Sequence, residues 1–92
     1  MIEVKEAIRK AVEFAEQIYG GKPADVRVEE VDSTDDLWLI TLSFEVMARA
    51  PGLPIAVPSA RLDLMVHERQ YKIFQVNKSD GRVQSMKIRQ VG

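Results

Sequence analysis

The stretch Tyr71-Lys-Ile-Phe-Gln-Val-Asn-Lys-Ser-Asp-Gly-Arg-Val-Gln-Ser-Met-Lys-Ile88 reads as a β-hairpin, and it decides the fold class. Phe74 and Val76 stand two apart on one face of a strand, Tyr71, Ile73 and Gln75 take the other, and Asn77-Lys-Ser-Asp-Gly81 breaks the alternation. In a short loop of this kind a type I turn followed by a residue at positive φ returns the chain, and Gly81 takes that conformation without a Cβ clash. Asn77 and Asp80 carry oxygens that can accept from nearby backbone N–H groups. On the return strand Val83, Met86 and Ile88 are spaced by three and then two, which predicts a bulge near Gln84-Ser85.

At the other end of the chain the period changes. Val4, Ile8, Ala11, Ala15 and Ile18 recur at the spacing of one helical face, and Ala7, Val12, Phe14 and Tyr19 widen the stripe. Glu3, Glu6, Arg9, Lys10, Glu13 and Gln17 form the opposite, solvated face, with Glu6 four residues before Lys10 for a favourable pair. Glu3 and Glu6 suit the positive end of the helix dipole. Gly20-Gly21 and then Pro23 end the helix.

Between these ends lie further strands. Val26, Val28 and Val31 mark the first, its alternation slipping at Glu29-Glu30, and Asp32-Ser-Thr-Asp-Asp36 is a polar turn. Trp38, Ile40, Leu42, Phe44 and Val46 then point one way while Thr41, Ser43 and Glu45 point the other, the pattern of an antiparallel sheet with one wet face. Leu37 and Leu39 leave a small apolar patch on that other face. The expected fold is α+β, with one N-terminal helix packed on a four- to five-stranded antiparallel curved sheet.

Ala50-Pro-Gly-Leu-Pro-Ile-Ala-Val-Pro-Ser-Ala60 is apolar, carries no charge and holds three of the four prolines. Pro51, Pro54 and Pro58 exclude a regular helix or a central strand, so Leu53, Ile55 and Val57 are expected to pack on an extended path, either over a sheet edge or against a partner. For Arg61-Leu-Asp-Leu-Met-Val66 two periods compete. Leu62, Leu64 and Val66 fit a strand, the reading favoured here, and Leu62, Met65, Val66 and Arg69 fit a turn or two of helix.

Ninety-two residues with 46% hydrophobic content suit a single domain spanning 1–92. The net charge of −1 argues against nucleic-acid or anionic-membrane binding. Residues 1–46 carry 11 acidic and 5 basic side chains, a balance of −6, and residues 47–92 carry 3 and 8, a balance of +5. A basic C-terminal hairpin packed beside acidic N-terminal strands would neutralise this internally. There is no cysteine, which removes disulfides and thiolate metal sites. Charged Glu3, Lys5 and Glu6 follow Met1 with no apolar leader, and no run is long enough to span a bilayer, so a cytoplasmic protein is expected.

Candidate chemistry is sparse. His67 is the single histidine. In a strand it lies about 13 Å from Asp63 and faces away from Glu68, so a surface histidine is the better reading than a metal ligand. Asp32, Asp35 and Asp36 lack the spacing of a calcium loop and fit a hairpin turn. Ser43, Ser59, Ser79 and Ser85 have no placed base, so catalysis is not expected, and neither is a cofactor. Trp38 is in phase with core residues. Tyr71 and Ile73 fall on the outer sheet face near Lys87 and Arg89, a strip that could stack a nucleotide but serves a partner or dimer contact with fewer assumptions.

The helix followed by antiparallel strands resembles the cystatin-like arrangement, in which a curved sheet wraps a helix. The run Tyr71-Lys-Ile-Phe-Gln-Val-Asn with Gly81-Arg-Val-Gln-Ser-Met resembles the closing hairpin of PepSY-type domains, with Asn77 where Asp is commoner. The likeness covers the helix and the last hairpin, and its motif is turn chemistry. It implies binding or inhibition of other proteins and no residue-level site. The expected function is therefore a non-catalytic protein-binding module, an inhibitor, an immunity-type protein or a homodimer, with Leu53, Ile55, Val57, Tyr71 and Ile73 as partner-binding residues. The alternative is a small-ligand carrier or weak enzyme with a pocket between helix and sheet near Trp38, Tyr19 and His67.

Overall fold

The structure is a computed structural model that describes residues 1–49 and 65–89, with side chains for 1–46 and 68–89. Its order is α1 (Val4–Tyr19), β1 (Ala24–Ser33), β2 (Leu37–Arg49), β3 (Met65–Asn77) and β4 (Val83–Ile88). The four strands form one antiparallel sheet in the order β1-β2-β3-β4, each paired with its sequence neighbour. This is the expected α+β fold, with four strands among the described residues. Met65–Val66 begin β3, as the strand reading has it, and Arg61–Leu64 lie outside the described residues.

The closing hairpin follows its turn chemistry. Gly81 takes φ +77° and its N–H donates to the Asn77 carbonyl at 2.8 Å. The Asn77 carboxamide oxygen accepts from Ser79 N at 2.8 Å, and the Asp80 carboxylate accepts from Arg82 N at 2.9 Å. Gln75 pairs with Ser85 and Val76 with Val83, so Gln84 is the extra residue of the predicted bulge.

One side of the sheet is the core. Ile40, Leu42, Phe44, Phe74 and Val76 are fully buried beneath α1, at roughly 1.5–3 kcal/mol of transfer free energy for each large side chain. Ala11 and Ala15 of the expected face are buried, with Ala7 beside them as the centre of the stripe, whereas Val4 and Ile8 are half-buried and Ile18 is 54% exposed. Small residues there let the helix lie close to the bulky sheet. Phe14 meets Phe74 edge-to-face at 6.3 Å, and Tyr19 meets Phe44 at 5.4 Å while its hydroxyl donates to Gln70 Oε1. Trp38 is half-buried at the other end, where its Nε1 donates to the Ile2 carbonyl and the Lys78 ammonium sits 4.7 Å from its ring.

The helix surface also departs from expectation. Arg9, not Lys10, takes Glu6, and it reaches Glu13 as well. Hydrogen bonding to Arg9 holds the Glu6 carboxyl below its usual range. Lys10 lies over the closing hairpin, its Cε next to the space a side chain at Gly81 would fill. Gly20, at φ +74°, stops the helix.

Candidate functional site

Among the described residues α1 leaves two surfaces of the sheet uncovered, and β1 contributes to both. Register puts Arg27, Glu30 and Asp32 of β1, Leu39, Thr41, Ser43 and Glu45 of β2, Arg69, Tyr71, Ile73 and Gln75 of β3, and Ser85 and Lys87 of β4 on the outer face. Arg89, just past β4, joins them through its N–H bond to the Tyr71 carbonyl.

That face is drier than the alternation predicts. Thr41 is 3% exposed and Ser43 0%, so the expected wet face is corrected at its centre. At Ser43 the cause is the irregularity of β1. Its pairing with β2 slips twice, between Ala24 and Arg27 and again between Val28 and Glu30. A bulge turns an extra side chain toward one face, and here each slip delivers a carboxylate to the outer face. Asp25, at φ +51°, takes Arg69 at 2.5 Å and Arg27 at 2.9 Å. Glu29 accepts from the Ser43 hydroxyl, which accepts in turn from Arg69 Nη1 at 2.7 Å. Arg69 also lies 3.5 Å from Glu45. Long charged side chains thereby roof Ser43.

Beside this network Tyr71 and Ile73 are half-buried on the outer face, where the sequence places them, with Lys87 opposite Ile73. Arg89 crosses from the β4 edge to Glu30 of β1 at 3.1 Å, over three strand spacings or about 14 Å of sheet. The acidic first half and basic second half of the chain meet here. Arg27, Arg69 and Arg89 all have carboxylate partners, so the strip is zwitterionic rather than cationic.

The second surface is the helix-facing side of β1. One helix is about 10 Å wide and a four-stranded sheet spans about 14 Å between its edge strands before side chains are added. α1 packs on β2, β3 and β4, and every residue of β1 is exposed. Val26 at 38%, Val28 at 46% and Val31 at 41% form an apolar row along a sheet edge with no further strand beside it among the described residues. Sequence reading marked these valines as strand residues and missed their exposure. The width of one helix against that of the sheet was the available signal.

Leu53, Ile55 and Val57 lie outside the described residues, as do Ser59, Asp63 and the His67 side chain. Ser43 is fully buried with both hydrogen-bond roles filled, Ser79 donates to Asn77, and Ser85 donates to Gln75. The Asp35–Asp36 turn closes on Leu37 and Lys78. No group of three or more metal-ligating side chains occurs among the described residues. Trp38 and Tyr19 line separate hollows. An open hollow of about 540 Å³ beside Trp38 is lined by Met1, Ile2 and Val4, and a separate one of about 360 Å³ beside Tyr19 is lined by Lys22, Pro23 and Glu45. No described helix is long and apolar enough to cross a membrane. Comparison with protein-family models, curated proteins and solved structures finds no match.

Proposed function

We propose that this chain is a non-catalytic protein-binding module whose principal contact is the β1 edge, flanked by the outer strip of Tyr71 and Ile73. The observation that carries the reading is the row Val26, Val28 and Val31, three valines left 38–46% exposed on an edge strand. An edge strand offers unpaired backbone N–H and C=O groups, and proteins that bind extended chains use such edges, taking affinity from main-chain hydrogen bonds and selectivity from alternate side chains. A row of apolar side chains on that edge adds the burial that a stable contact needs. The resemblance to PepSY-type and cystatin-like domains supports the same class of function. Leu53, Ile55 and Val57 are proposed as further contacts on their sequence character alone.

The test is affinity capture from native lysate with the parent chain and with a V26T/V28T/V31T variant. Threonine keeps the β-branched shape and removes apolar surface from sites already open to water, so the fold is retained. Proteins captured by the parent and lost from the variant support the reading. Identical capture by the two chains removes β1 from any functional account.

A further inference from the structure

We infer that the partner at the β1 edge is a second copy of this chain, docked antiparallel across a two-fold axis through the Glu29 bulge. The inference rests on the reading of β1 as a binding edge and names its occupant. In a regular strand Val26 and Val31, five residues apart, face opposite sides of the sheet. The extra residue at Glu29 changes that phase. Register against β2 places Val31 beside Ile40 and Val28 beside Leu42 on the helix-facing side, and Arg27 beside Ser43 and Glu30 beside Thr41 on the outer side. Val26, next to outward-facing Arg27, returns to the helix-facing side.

Read outward from the bulge, the strand is therefore a palindrome with inverted charge. Arg27 and then Val26 lie on one side, and Glu30 and then Val31 on the other. An antiparallel copy centred on the bulge sets Val26 opposite Val31 of the other chain and Arg27 opposite Glu30 of the other chain, and the two-fold axis makes each contact twice. Directly opposed residues in an antiparallel pair share a face, and both matches satisfy this only because the bulge is present. The present partners of these charges leave them available, since the Arg27 side chain is 60% exposed and that of Glu30 54%. One step further out Asp25 meets Asp32, a like-charge pair, and Asp25 stays compensated by Arg69 at 2.5 Å. The product is a continuous eight-stranded sheet with both helices on one face and the exposed valines between them. A homodimer needs this kind of self-complementary patch.

The experiment is sedimentation equilibrium of the full chain and of two charge variants, R27E and E30R, with circular dichroism to establish that each is folded. The parent is expected at twice its 10.4 kDa mass. Each variant alone places like charges opposite each other twice and should associate at least about tenfold more weakly. An equimolar mixture of the two variants should recover the dimer as a heterodimer, because every charge at 27 then meets the opposite charge at 30 of the other chain. A monomeric parent, a variant that dimerises as the parent does, or a mixture of folded variants that stays monomeric would overturn the inference. A monomeric parent that still captures another protein through the valines would overturn the second copy and leave the binding reading standing. A monomer whose capture is insensitive to V26T/V28T/V31T would remove both.

Discussion

Replacing Gly81 with alanine and with valine separates backbone strain from crowding, because Gly81 and Gly20 share nearly the same conformation in different surroundings. Their φ values are +77° and +74°. A Cβ at Gly81 would lie 3.4 Å from Lys10 Cε and 3.5 Å from Ile2 Cδ1, which is ordinary contact, whereas a Cβ at Gly20 meets nothing within 4 Å. Alanine in the left-handed region costs about 1–2 kcal/mol, and the stiffer unfolded chain offsets about 0.4–1 kcal/mol of it. Each alanine variant should therefore lose on the order of 1 kcal/mol. With an unfolding entropy near 2.1 cal/mol/K per residue, that lowers Tm by about 5 °C for a chain of this length. Valine adds a branched side chain that is restricted at positive φ and, at Gly81, must also displace Lys10 and Ile2, for about 2–3 kcal/mol and roughly 10–15 °C. Valine at Gly20 meets open space and should fall short of that. Thermal and urea unfolding followed by the fluorescence of Trp38 measures all four variants. Unchanged stability in Gly81→Ala would show that the turn does not use positive φ, and equal losses for valine at the two sites would show that Lys10 and Ile2 do not pack on the turn.

Phe74→Ala empties a fully buried site against Phe14 and should cost about 3–5 kcal/mol, much of the roughly 5–14 kcal/mol available to a domain of this size. A urea midpoint shift worth less than about 1 kcal/mol would refute that packing. Arg69→Met withdraws donors from Ser43 and Asp25 and should cost about 1–3 kcal/mol, with strong non-additivity against Ser43→Ala. Additive effects in the double-mutant cycle would mean that the outer network is not one unit. Burial raises the Tyr19 pKa, so the folded chain keeps a phenol proton that the unfolded chain releases. The stability this adds is present below about pH 10 and is lost as pH rises through the folded pKa. Tyr19→Phe should accordingly flatten the fall in urea midpoint between about pH 8 and 11, and matching slopes for the two proteins would contradict it.

The elements that were legible in the sequence are those governed by neighbours along the chain. The turn from Asn77 to Gly81 needs only local φ preferences and side-chain acceptors. The bulges at Gln84 and Glu29 showed themselves as slips in a two-residue period, and β2 as an unbroken alternation from Trp38 to Val46. What could not be read depends on neighbours several strands away. Thr41 and Ser43 are polar and alternate correctly for water, yet both are buried, and over Ser43 charged side chains from β1 and β3 close. That roof depends on where two bulges aim Asp25 and Glu29. The helical stripe was readable as a stripe, but its centre was set by the bulk of Phe44 and Phe74 beneath it, which selects the small Ala7, Ala11 and Ala15 for closest approach. Tyr71 and Ile73 were placed on the correct face. The exposure of Val26, Val28 and Val31 was hidden because an apolar strand residue looks the same whether or not a helix reaches it.

The pairing of Phe14 with Phe74 and the hydrogen bond from Ile2 N to the Lys78 carbonyl join residues some sixty or more positions apart. During synthesis the helix leaves the ribosome before the strands that cover it. At about 5–20 residues per second the Phe14 ring waits roughly 3–12 s for its partner to be made. A lone sixteen-residue helix is only marginally stable in water. Through that interval the nascent chain holds an uncovered apolar stripe while the β1–β2 pairing can already form. A polypeptide stalled before Asn77 would carry most of the sheet and lack the turn on which Ile2 and Lys10 rest. Such a chain should recruit holding chaperones or proteases in proportion to the length of the pause.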